Sequence, residues 1–156
     1  MSAALLDLNV LVALFDPAHP HHEDAHRWFS SRRKRGWATC PVTVNGCVRV
    51  LSNPGYPSVE TTPAEVISRL RILCSAPDHE FWAEGLSLLD ERRFRRQFVV
   101  GHLQVTDIYL LGLAVHYKGR LATFDRSIPL KPVNGATAAH VELIGHSGGK
   151  PVLHPP

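Results

Sequence analysis

Ala4-Leu5-Leu6-Asp7-Leu8-Asn9-Val10-Leu11-Val12-Ala13-Leu14-Phe15 runs from a short apolar stretch through one carboxylate into a longer apolar stretch. The three residues before the acid suit a short buried strand, and Asn9 to Phe15 suits a helix leaving that strand. Near the other end of the chain, Arg120 to Phe124 reads as a strand running into Asp125. Both acids therefore fall at the carboxyl ends of strands, which is where open parallel sheets place their functional sites.

Between these two points strand-like and helical stretches alternate. A helix is expected from about His21 to Arg35, with Ala25, Trp28 and Phe29 on its inner face. Trp37 to Cys40 reads as a second strand, closed by Pro41, and Val42 to Leu51 as a helix that stops at the Asn53-Pro54-Gly55 turn. Thr62-Pro63 is a good helix start, an N-cap followed by proline at the first helical position, and this helix should reach about Cys74. Glu80 to Glu84 is expected as a strand, Leu86 to Phe98 as helix and loop, and Val105 to Tyr117 as a helix ending at Gly119. The last strand is expected at His140 to Ile144. Such alternation predicts an α/β fold: a central parallel sheet with helices on both faces, in three α/β/α layers. One domain should occupy residues 1–145, and the Gly- and Pro-rich tail 146–156 should be poorly ordered.

Composition narrows the functional classes. A 156-residue chain with 44% hydrophobic and 20% charged residues is ordinary for a globular protein. No apolar run approaches the roughly 18 residues of a membrane span, and Asp7 interrupts the one N-terminal apolar stretch, so neither a membrane anchor nor a cleaved signal is expected. Cys40, Cys47 and Cys74 are odd in number and form no C-x-x-C pair, which fits buried thiols in a reducing, cytoplasmic setting. The net charge of +3 is mild, but Arg32-Arg33-Lys34-Arg35 and Arg92-Arg93 with Arg95-Arg96 are concentrated. Such clusters suit a phosphate backbone or an acidic protein partner, and equally suit solvated helix ends.

Three carboxylates sit among apolar neighbours: Asp7, Asp107 in Val105-Thr106-Asp107-Ile108, and Asp125 in Thr123-Phe124-Asp125. Taken singly, each has an ordinary explanation as a helix cap or first-turn acid. Taken together at strand ends they point to a metal. Apolar walls penalise a charged carboxylate, neighbouring carboxylates raise one another's pKa, and a hard cation removes both costs. Mg²⁺ or Mn²⁺ fits such a ligand set, with water and phosphate completing the coordination.

Leu6-Asp7-Leu8-Asn9-Val10-Leu11-Val12-Ala13-Leu14 resembles the opening motif of the PIN-domain family. Val105-Thr106-Asp107-Ile108-Tyr109-Leu110-Leu111-Gly112-Leu113-Ala114 resembles the helix carrying that family's third acid, and Leu121-Ala122-Thr123-Phe124-Asp125-Arg126 its closing strand and final acid. The stretch Cys40-Pro41-Val42-Thr43-Val44-Asn45-Gly46-Cys47-Val48-Arg49-Val50-Leu51-Ser52-Asn53-Pro54 is similar to one found in VapC-type toxins. The resemblance implies a PIN fold, Mg²⁺-dependent cleavage of RNA, inhibition of translation, a homodimer, and neutralisation by a cognate antitoxin. It implies Asp7 and Asp107 as principal metal ligands and Asp125 as the third, with Asn9 steadying the acids and Thr123 hydrogen-bonding one of them. The family usually places a glutamate on the helix after the second strand, and at that position this sequence has Val44, with the neutral amide of Asn45 beside it. The loss of a carboxylate predicts weaker cation binding, or a module that binds RNA or antitoxin without cutting. Arg49, one turn from Asn45, is a candidate to pair with a phosphate, or else an exposed helix arginine.

Two other chemistries fit less well. His22-Glu23-Asp24-Ala25-His26 matches the zinc-protease pattern H-E-x-x-H on an expected helix, but no third ligand stands at a familiar spacing. A phosphatase with an aspartate after its first strand would need an acid two residues on, where Asn9 stands.

Overall fold

The computed structural model describes residues 2–145, and the expected tail at 146–156 lies outside the described residues. Five short strands form one sheet: β1 (Ala4–Leu6), β2 (Trp37–Thr39), β3 (His79–Phe81), β4 (Arg120–Thr123) and β5 (Val141–Leu143). Every pairing is parallel and the order across the sheet is β3-β2-β1-β4-β5, so β1 is central, flanked by β2 and β4.

Strand alternation sorts the core into two layers. Ala4, Leu6, Trp37 and Ala122 face one side, where they pack with α1 (Leu8–Phe15), α2 (His22–Arg32), α3 (Pro41–Leu51) and α4 (Pro63–Cys74). Ala3, Leu5, Ala38 and Leu121 face the other, against α5 (Val105–His116). Both faces are covered, which is why β1 reads as an unbroken apolar run rather than an alternating one. The predicted three-layer α/β/α architecture is the observed one.

Local chemistry sets the helix starts. Asp7 is the N-cap of α1 and accepts a 2.7 Å hydrogen bond from the Leu8 amide. Thr62 and Glu65 exchange bonds in a capping box that spans Pro63. Proline at the first position of α3 and of α4 removes a donor that had no helical partner to lose.

One expectation fails. Leu86 to Phe98 forms no α-helix; it is a run of turns ending in a 3-10 turn at Arg96–Phe98 and touching Val133 through an antiparallel bridge at Phe94. The physical reason lies in the sequence. A helix there would stack Arg92 against Arg95 and Arg96, like charges at three- and four-residue spacing, and would bury no continuous apolar stripe. Phe94 alone is buried, and Leu89 stays almost fully exposed.

Candidate metal centre

β1 and β4 end side by side, in register Leu6 to Ala122, and this delivers Asp7 and Thr123 to the same point. The Asp7 amide donates to the Ala122 carbonyl (2.9 Å), holding the residue at the sheet edge, and its side chain is buried. Thr123, fully buried, is the hub. Its hydroxyl donates to Asp7 Oδ2 (2.7 Å) and accepts from the Asp125 amide (3.0 Å) and, at 3.5 Å, from Asn9 Nδ2. Three of the residues singled out in the sequence are thus bound to Thr123 directly.

Asp125 follows β4 by two residues. One oxygen of its carboxylate is engaged locally, accepting from the Ser127 amide (2.8 Å) and hydroxyl (2.6 Å). Asp107 stands in the first turn of α5, on the opposite layer from α1, and its carboxylate accepts no hydrogen bond among the described residues. Burial pushes its carboxyl up to about 6, and the negative charges of Asp7 and Asp125 push the same way. Asp7 is also raised, first by burial and further by Asp125, while the Thr123 and Leu8 hydrogen bonds pull it back down. The negative charge of Asp125, at the end of β4, thus acts on both Asp7 and Asp107, and Asp7 acts on Asp107.

A divalent cation is the natural counter-charge, and the residues present suit it. The donors are all hard oxygens, Asp107 lacks any other partner, and Asn9 Oδ1 is buried with no hydrogen-bond partner among the described residues. Among the described residues no three His, Cys, Asp or Glu side chains close into a ready-made cage. Gln104, the residue before α5, has a buried amide oxygen that also lacks a hydrogen-bond partner among the described residues.

The remaining candidates lie on α3 and α2. Asn45 and Arg49 are exposed on α3. Val44 lines a hollow with Thr39, Ile67, Leu70, Arg71, Cys74, His79 and Phe81, which belong to β2, β3 and α4 and to none of the elements carrying the aspartates. The α3 residue that closes on α1 is Gly46: a Cβ there would lie 3.1 Å from the side chain of Leu8. So α3 brings no carboxylate to the centre, and the side chain at position 44 is turned toward α4. The H-E-x-x-H histidines are also accounted for. His22 Nδ1 lies 2.7 Å from the Ala13 carbonyl and His26 Nε2 2.9 Å from that of Leu14, so both imidazoles donate to the last turn of α1.

The PIN domain family model matches residues 4–132, most of the chain. The chain belongs to the PIN-domain family. Within this PIN family its likeness runs to the VapC type. It is 47% identical over 144 residues to Ribonuclease VapC44 of Mycobacterium tuberculosis (strain ATCC 25618 / H37Rv), covering 90% of this chain and 99% of that relative. It is 43% identical over 141 residues to Ribonuclease VapC39 of the same strain, with the same coverage. With Ribonuclease VapC38 it shares 41% over 125 residues, 80% of this chain and 86% of the relative. The strand ends of this PIN domain carry Asp7 and Asp125, and its fifth helix carries Asp107.

Proposed function

We propose that this protein is the toxin of a toxin–antitoxin pair, a Mg²⁺- or Mn²⁺-dependent endoribonuclease that cuts single-stranded RNA and so inhibits translation. One observation carries the reading: three carboxylates from β1, β4 and α5 in a mutually repelling group, with Asp107 unpartnered and raised to about 6. The ribonuclease names of the relatives supply the substrate class.

Asp7, Asp107 and Asp125 would hold the cation, which when bound acts as a Lewis acid that lowers the pKa of a coordinated water and neutralises charge on the phosphate. The chain's own residues do the positioning. Thr123 fixes the rotamer of Asp7 by donating to one oxygen while the Leu8 amide occupies the other, so this carboxylate is pre-aimed. Through its bond to the Asp125 amide the same hydroxyl ties the turn after β4 to β1. The RNA enters unpaired, because an individual phosphate must reach a recessed acidic group. Arg49, exposed on α3, is available to a flanking phosphate.

The cognate antitoxin would place a cation, best an arginine, against the same carboxylates, since charge complementarity favours it. A homodimer is part of the proposal, as is residence in the cytoplasm; no helix among the described residues is long and apolar enough to cross a membrane. The second reading, a PIN module that grips RNA or antitoxin without cutting, draws on the lack of an α3 carboxylate at Val44 and Gly46. The deciding assay is RNA cleavage in Mn²⁺ by wild type and Asp7→Ala. Cutting by wild type that vanishes in Asp7→Ala supports the nuclease; an inert wild type that still binds RNA supports the module.

A further inference from the structure

β3 forms one rim of the sheet. Alternate residues along it are spent on β2: the Asp78 carbonyl accepts from the Trp37 amide (3.2 Å), and the Trp82 amide donates to the Thr39 carbonyl (2.8 Å). The main chain of His79 and Phe81 therefore turns outward. The His79 amide is satisfied by the Ala76 carbonyl (3.1 Å). The Phe81 amide and the carbonyls of His79 and Phe81 have no hydrogen-bond partner among the described residues.

Beside this rim, α4 sets Ile67, Leu70, Arg71 and Cys74 in one stripe, at the spacing of a single helix face. The stripe meets Val44, Thr39 and Phe81 across a hollow of about 280 Å³. Phe81 is 58% exposed and Ile67 45%, while Thr39 is buried. The polar groups of Thr39 and His79 are used on each other, with the hydroxyl 2.8 Å from His79 Nε2. What remains for a visitor is apolar surface and one cation. Arg71 is exposed and makes no ion pair or hydrogen bond among the described residues.

These features select the occupant. The volume falls short of the roughly 300 Å³ at which pockets begin to enclose a free small molecule, and it suits one aliphatic side chain. An unpaired nucleobase would meet apolar walls and a Thr39–His79 pair already bonded to each other. A second copy of this chain, pairing rim to rim, would bring a second Arg71 toward the first, like charge against like. An extended peptide from another protein meets every requirement. Strand addition satisfies the outward main-chain groups of an edge, and a neighbouring pocket gives it selectivity. Side chains two residues apart on such a peptide share a face, so one fills the hollow and the next faces Arg71.

We propose that the β3 rim and its hollow bind an extended, acidic segment of a partner protein. The segment adds to the sheet beside β3, seats one aliphatic side chain in the hollow, and sets a carboxylate two residues along against Arg71. The site lies on β2, β3, α3 and α4, apart from the elements that carry the aspartates, and it does not depend on the nuclease reading.

The experiment selects a displayed library of random peptides, about ten residues long to allow a strand, on the full chain and in parallel on Ile67→Ser/Arg71→Glu. Both positions are exposed on α4, so the variant should fold as wild type does, which circular dichroism and melting temperature check. Wild type should enrich peptides with an aliphatic residue followed two positions later by an acid, and the variant should not. A synthetic peptide of the enriched sequence should bind wild type about tenfold tighter than the variant. N-methylation of its pairing amides should abolish binding. In the complex the Phe81 amide should exchange with solvent at least about tenfold more slowly. Asp7→Ala should bind the peptide as wild type does. The proposal is overturned by no enrichment, by the same peptides enriching on both chains, by unchanged Phe81 exchange in the saturated complex, or by binding that is lost in Asp7→Ala.

Discussion

Replacing Asp107 by asparagine keeps the shape of the side chain and removes the charge that the centre resists. Burial and the charges of Asp7 and Asp125 raise this carboxyl from 3.8 to about 6. At neutral pH the group is ionised in both folded and unfolded chains, so a shift of about two units represents ~3 kcal/mol of native-state destabilisation at face value. The carboxyl is only partly buried, and discounting for solvent screening leaves roughly 1–2 kcal/mol. Without metal, Asp107→Asn should therefore be more stable than wild type, by roughly 3–6 °C in melting temperature. The sign of the pH effect follows. A carboxyl raised by folding adds stability below its unfolded pKa and loses it as pH rises through the folded value. Metal-free wild type should thus gain stability on acidification from above 6 toward 4, and the advantage of the variant should shrink over the same range. In Mn²⁺ the order should invert: an ion at a hundredfold excess over its dissociation constant stabilises wild type by about 2.7 kcal/mol, and the variant gains much less. Thermal melts with chelator and with Mn²⁺ read all of this without any activity assay. A metal-free variant less stable than wild type, or an equal Mn²⁺ shift in both, would refute the reasoning.

Thr123→Val removes the hydroxyl that aims Asp7 and receives the Asp125 amide; cleavage or Mn²⁺ affinity should fall about 10- to 100-fold, measured by cleavage rates and calorimetric titration, and unchanged values would sink the hub role. Val44→Glu should not strengthen the centre, because position 44 opens into a hollow shared with α4, where Arg71 rather than a metal is the nearby cation; Mn²⁺ titration should show unchanged affinity, and a gain would contradict the placement. Gly112→Ala puts a methyl into the Phe94 ring and should cost roughly 1–3 kcal/mol while loosening the bond from the Arg95 amide to the Pro132 carbonyl, which hydrogen exchange at that amide would report.

Much of this fold could be read from apolar patterning. Leu5-Leu6 before Asp7, and Leu121-Ala122 before Asp125, announce parallel strands buried on both faces, and Thr62-Pro63-Ala64-Glu65 writes its own helix start. The acids stood out for the same reason, as charges at the ends of apolar runs. Leu86 to Phe98 was misleading because its order comes from elsewhere: Phe94 is held by Gly112 and Val133, and the arginines by Asn134, contacts distant in sequence. The direction of Val44 was hidden likewise. Helical spacing alone leaves open which side of α3 faces β1, and that is decided by Gly46 closing on Leu8. The histidines of α2 show the limit of a short motif, since their partners are carbonyls of α1 that no spacing rule names.

Anomalous diffraction from crystals soaked in Mn²⁺ addresses the metal centre most directly. A single strong peak should lie among Asp7, Asp107 and Asp125, with carboxylate oxygens about 2.1–2.2 Å away, and should disappear in Asp107→Asn crystals. Saturating Mn²⁺ that leaves no peak between those side chains, or one bound only at the α2 histidines, would contradict the account.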